Sequence, residues 1–138
     1  MSFPDDVRYA KKRLKRLKLW VPRMEDFEVY LDAKIILFDR SWTSGVIDFN
    51  NDVILINPLL WKSWRLSTIY HEYGHVFYRR LARKPGMFGK PRFISRYART
   101  NKEEDFCETF AQYCKGIRHH QEETIQHKLD FIASLRKK

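Results

Sequence analysis

Ile69-Tyr70-His71-Glu72-Tyr73-Gly74-His75-Val76-Phe77 decides how the rest of this 138-residue chain is read. On a helix, residues four apart lie one turn above each other, so His71 and His75 share a face and can grip one ion. Neutral imidazole suits zinc, and two such ligands leave positions for a third protein group and a water. Glu72, beside the first histidine, can point at that water and accept its proton.

This is the HExxH pattern of zinc hydrolases, in which each position has a mechanical job. It needs one more protein ligand from elsewhere. Thr100-Asn101-Lys102-Glu103 reads as a capping box and predicts a helix over about 101–115. That helix carries Glu104 and Glu108 at i, i+4, stacked on one side. With Glu104 on the ion, Glu108 sits one turn deeper and can hold a ligand histidine by its other ring nitrogen. Phe106, Cys107, Phe110 and Ala111 around the pair argue against a solvated outer face. Glu104 is therefore the candidate third ligand, beside His71 and His75, for one zinc ion.

Outward from the site, the period of the apolar residues assigns the elements. Val7, Ala10, Leu14, Leu17 and Val21 recur at helical spacing, which predicts a helix over about 4–20, capped by Ser2 and closed by Pro22. From Phe27 the period shortens to two, and a small sheet is expected over about 27–56. Within it, Ile35-Ile36-Leu37-Phe38 reads as a buried strand, and Asn50-Asn51-Asp52 as the turn of a hairpin. Asn57-Pro58 reads as the cap of a short helical piece through Trp64. The histidine-bearing helix is expected over about 67–83, ended by Lys84-Pro85-Gly86, and a last helix over about 121–136. The fold class is α+β, a single domain with no internal repeat or linker.

The net charge is +10, and Arg8, Lys11, Lys12, Arg13, Lys15, Arg16 and Lys18 crowd the first helix. That charge permits nucleic acid, an acidic protein or an anionic membrane as partner, and the helix is the candidate surface, although a merely solvated face is the favoured explanation of it. No apolar run has the length of a transmembrane span and no secretion signal is evident, so a cytoplasmic protein is expected. Cys107 and Cys114 lie two helical turns apart, about 10 Å, too far for a mutual disulfide. His119 and His120 are adjacent and share no helical face, and they, with His127, read as surface residues.

Three blocks in order, His71-Glu72-Tyr73-Gly74-His75, Ser95-Arg96-Tyr97-Ala98-Arg99-Thr100-Asn101 and Glu104-Asp105-Phe106-Cys107-Glu108-Thr109-Phe110, resemble the catalytic domain of anthrax lethal factor and its relatives. These are gluzincins, zinc endopeptidases with two histidine ligands and one glutamate. The resemblance covers roughly residues 67–115. It implies a zincin-like (minigluzincin) fold, with a small twisted mixed sheet packed on the histidine helix and a glutamate-bearing second helix. It also implies one zinc ion held by His71, His75 and Glu104, Glu72 as the base, Tyr97 as a catalytic tyrosine and Glu108 as the carboxylate behind a ligand histidine. By analogy with zincins, Gly45, Val46, Ile47, Asp48 and Phe49 form the strand edge on which a protein or peptide substrate pairs. Cys107 stands where that family has alanine, and is read as packing. The Glu104, Glu108, Phe110, Ala111 texture also resembles the small gluzincins that cleave phage repressors. The alternative reading is a basic, nucleic-acid-associated protein whose zinc is structural, or a protease acting on DNA-bound or repressor-type proteins. A histidine as third ligand would have made the chain resemble the Spartan type, but no well-placed histidine block follows His75.

Overall fold

The computed structural model describes residues 2–136 and is α+β, with four helices and small mixed sheets. Helix α1 spans Phe3–Arg16, and the strands are β1 Glu28–Leu31, β2 Leu37–Phe38, β3 Ser41–Trp42, β4 Gly45–Asp48 and β5 Val53–Ile56. Helices α2, α3 and α4 span Lys62–Arg80, Lys102–Lys115 and Glu123–Ser134. One sheet has the order β1-β5-β4, with β1 parallel and β4 antiparallel to β5; β2 and β3 form a separate hairpin. Strand β4 is therefore an edge strand.

The capping box at Ser2 is present, with Asp5 N–H donating to Ser2 Oγ. Helix α1 stops earlier than its apolar period predicts. Lys18 takes a left-handed conformation (φ 60°), and Leu19 N–H closes back onto Leu14 O at 2.9 Å, a helix-ending reversal. Pro22 then opens a short 3-10 turn, Pro22–Asp26, instead of closing the helix. Leu17, Leu19 and Val21 stay buried through this turn, so the helical spacing of apolar residues outlasts the helix itself.

Three further expectations are corrected. Ile35–Phe38 is not a buried strand: Ile35 ends a 3-10 turn in the core, while Leu37 and Phe38 are exposed in the hairpin. Asn57-Pro58 caps no separate helix. Asn57 is fully buried, accepts from Leu59 N–H and donates through Nδ2 to Thr43 O, so it ties a turn to the base of the hairpin. The chain then enters α2 at Lys62, a turn earlier than expected. The cap of α3 is Asn101, not Thr100: Asn101 Oδ1 accepts from Glu104 N–H at 2.8 Å, and Thr100 ends the 3-10 turn Tyr97–Arg99.

Helices α2 and α3 cross closely because the crossing point is built from small residues. A Cβ on Gly74 would lie 3.3 Å from Cys107 Cα and 3.4 Å from its Sγ. Around that point Ile69, Tyr73, Val76 and Phe77 of α2 meet Phe106, Phe110 and Ala111 of α3 in one apolar core. The loop after α2 is fastened from the far side by a buried ion pair. Lys128 of α4 and Asp105 of α3, both with fully buried side chains, approach to 2.7 Å. Lys128 Nζ also donates to Lys90 O and Arg92 O, and Gly89 N–H donates to Asp105 Oδ2.

Removing one partner of such a pair strands the other charge in the core, which costs about 3–5 kcal/mol. Lys128→Met is therefore expected to lower unfolding stability by about that amount, read from the urea midpoint. The double variant with Asp105→Asn is expected to recover part of the loss.

Candidate metal centre

The site lies where α2 faces α3. Trp64, Thr68, His71 and His75 follow one another at helical spacing along α2, and all four line one cleft of about 910 Å³. Glu103, Glu104 and Glu108 of α3 close its floor. Glu104 and Glu108 are held there because α3 is capped at Asn101, nearly two turns before Cys107 crosses Gly74.

Glu104 Oε1 lies 2.7 Å from His75 Nε2 and 3.4 Å from His71 Nε2. It is buried, and no hydrogen bond of sound geometry satisfies it. Two imidazole nitrogens and a carboxylate oxygen thus converge on one point from two helices, an arrangement that suits a cation of the zinc type better than any one proton. Cys107 belongs to the same cluster: one ligand atom from each of His71, His75, Glu104 and Cys107 lies within 4.8 Å of the others. The four could bind a metal ion. Burial raises the Cys107 thiol well above its usual range, with the surrounding carboxylates adding to the effect, which disfavours the thiolate that ligation requires.

Each imidazole is braced from behind. Glu108 Oε2 accepts from His71 Nδ1 at 2.7 Å, and Glu103 Oε2 accepts from His75 Nδ1 at 2.5 Å. Both Nε2 atoms are thereby aimed into the cluster. Ser95 Oγ donates to Glu108 Oε1 at 2.7 Å and accepts from Ala98 N–H, so the turn carrying Tyr97 is tied to the carboxylate behind His71. Sequence reasoning missed Glu103 because it was assigned to a capping box. Its position one residue before Glu104, in the first turn of the same helix, was the available signal. Ser95 carried none of its own.

Glu72 is buried beside the ligand cluster, with Oε1 4.0 Å from His75 Nε2 and Oε2 unpaired. Burial raises its pKa above the ordinary carboxylate range, against the pull of His71 and His75. Tyr97 stacks at a tilt against His71, ring centroids 5.8 Å apart, and its phenol is raised by burial and by Glu104. Burial alone would lower His71, but the Glu104 and Glu108 carboxylates hold it protonated up to about pH 10. The same balance raises His75 and lowers Glu104 and Glu108.

Of the expected edge residues, Gly45, Val46, Ile47 and Asp48 form β4, with Gly45, Val46 and Ile47 lining the cleft. Phe49 lies past the strand and packs edge-on against Phe27 under the Arg79 guanidinium, so it belongs to the packing behind the sheet. Gly45 has a steric reason: a Cβ there would come within 2.7 Å of Thr68 Cγ2 and 3.3 Å of Glu72 Cγ. His119, His120 and His127 lie away from the cluster. Among the described residues, no helix is long and apolar enough to cross a membrane.

Comparison with known proteins finds no matching family model, no matching curated protein and no matching solved structure.

Two expectations follow from the geometry. A histidine whose folded pKa exceeds its unfolded value stabilises fully below the unfolded value and loses that contribution as pH rises through the folded one. With His71 moving from 6.5 to about 10, metal-free protein should lose thermal stability between those pH values, and Glu72 adds in the same direction. A bound divalent cation prefers neutral imidazole, so saturating zinc should remove that slope; melting in chelator and in zinc at several pH values reads both. Secondly, Glu103→Gln and Glu108→Gln should each weaken zinc binding by about 10–100-fold, measured by competition with a chelating dye.

Proposed function

We propose that the chain is a zinc-dependent endopeptidase of the gluzincin type, with a zincin-like fold, that hydrolyses peptide bonds through an activated water. The observation that carries this reading is the unsatisfied Glu104 Oε1, buried between two braced imidazole Nε2 atoms on the floor of an open cleft. A solvated pair of helix glutamates would not be placed so.

His71, His75 and Glu104 would hold the ion. When bound, zinc supplies Lewis acidity, lowering the pKa of a water towards about 7 and polarising a carbonyl. Glu72, whose raised pKa makes it a stronger base than an exposed carboxylate, takes the proton from the attacking water. It then gives that proton to the leaving amine as the C–N bond breaks. The Tyr97 hydroxyl, whose ring lies against that of His71, donates to the oxygen on which negative charge develops. Ser95 and Glu108 keep His71 and the Tyr97 turn in register. The substrate backbone pairs with the free edge of β4, which Gly45 lets lie directly against Glu72.

The same proposal includes a cytoplasmic location and a nucleic-acid or acidic partner on the basic helix α1. In that helix Arg13 donates to Cys114 O and Lys15 pairs with Glu25, so part of its charge ties it to the body.

Glu72→Gln is expected to keep zinc stoichiometry while abolishing cleavage of a denatured protein mixture. Tyr97→Phe should lower kcat by about 10²–10³-fold with zinc retained. Cobalt substitution tests the rival closed, structural site. A thiolate charge-transfer band from Cys107, together with no cleavage by wild-type protein, would overturn the peptidase reading.

A further inference from the structure

The β2–β3 hairpin is joined by a two-residue turn, Asp39-Arg40, in which both residues have positive φ (53° and 64°). That turn type matches the twist of paired strands and makes the hairpin stiff despite having no glycine. Its base is locked by Thr43 N–H to Ile36 O and by Asn57 Nδ2 to Thr43 O. The stiff hairpin nonetheless exposes Phe38 and Trp42, at 52% and 56%. Neither packs on the core. Both line the cleft that holds His71 and Glu72, as does Trp64 of α2, 59% exposed and two turns before His71 on the same face.

The charge of the cleft is opposite to that of the chain. Asp39, Glu72, Glu103, Glu104 and Glu108 line it, while no lysine or arginine does so among the described residues. A protein of net charge +10 thus keeps its cations out of this one concavity. Phosphate backbones need free cations, and the only cationic groups here are imidazoles already paired with carboxylates, although the exposed aromatic rings would otherwise suit stacked bases. The free edge of β4 reads backbone only, so selection among sequences has to come from side-chain pockets beside it.

We infer that the cleft takes an extended polypeptide with a bulky apolar side chain close to the scissile bond, seated between Phe38 and Trp42 of the hairpin and Trp64 of α2. This rests on the peptidase reading and adds the substrate class. The side chain covers aromatic surface that nothing in the fold covers, and an acidic side chain is rejected there by the carboxylates of the cleft.

The test uses zinc-loaded full-length protein and a library of unstructured peptides, with cleavage sites read by mass spectrometry. One position within two residues of the cut should be enriched about tenfold or more in Leu, Met, Phe, Tyr and Trp, and depleted in Asp and Glu. The ratio of kcat/KM for the best apolar peptide over its alanine analogue should fall about tenfold or more in Phe38→Ala/Trp42→Ala. Binding is read separately: with zinc-loaded Glu72→Gln, the apolar peptide should change tryptophan fluorescence at about tenfold or more lower concentration than the alanine analogue. Cleavage indifferent to that side chain, an unchanged ratio in the double variant, or displacement of the peptide by a single-stranded oligonucleotide would overturn this inference alone. No cleavage of any peptide by the zinc-loaded wild type would overturn the peptidase reading, and this inference with it.

Discussion

Everything at the centre of this protein depends on how closely α3 can lie against α2. Gly74 and Cys107 set that distance, since any Cβ at Gly74 would press on the Cys107 backbone and on Phe110. At this spacing the imidazoles of one helix and the carboxylates of the other share a single layer. His71 and His75 each meet one carboxylate at Nδ1 and face Glu104 at Nε2. A layer so rich in buried charge is an unfavourable way to hold two helices together unless something neutralises it. In the metal-free protein, protons do so, which is why the histidine pKa values rise; a divalent cation would do it with better geometry.

The opposite side of α2 obeys a similar constraint. Strand β4 reaches Glu72 because Gly45 has no side chain to strike Thr68. A helix packed on one side at Gly74 and a strand packed on the other at Gly45 leave Glu72 almost no solvent. Burial and unpaired Oε2 follow from this squeeze, not from Glu72 itself. Further along the fold, the Lys128–Asp105 pair fastens the chain around Gly89–Arg92 to α3 and α4. The Tyr97 turn is thus held from two directions, by that clamp and by Ser95 on Glu108.

What the sequence disclosed was what depends on local spacing. The histidines of α2, and Glu104 with Glu108, are pairs four apart, so helical geometry alone stacks them; the crossing that unites the two pairs was an inference. Their roles on a metal are still a proposal. The hairpin at Leu37–Trp42 was illegible because its side chains are exposed and its turn uses Asp39 and Arg40 where glycine or asparagine would have signalled it. Ile35–Phe38 is no buried strand because only Ile35 enters the core; Leu37 and Phe38 are exposed, and Phe38 faces the cleft. Glu103 was misassigned because an acid in the first turn of a helix has two uses, and only the position of His75 decides between them.

Net charge misleads in a similar way. A formal charge of +10 suggests a polyanion surface, yet the cleft at the histidine cluster is lined by carboxylates and aromatic rings. Charge summed over a chain describes its mean surface potential, whereas a cleft with low-dielectric walls is governed by the few groups that line it. Two basic residues of α1 are engaged by the rest of the chain, Arg13 with a backbone carbonyl of α3 and Lys15 with Glu25 at the surface, beside the ring of Trp20. Any polyanion would therefore meet the outside of the protein, while on the proposed reading the cleft would take the apolar side chains and backbone of an extended peptide. Two partners of opposite chemistry need not compete for one site.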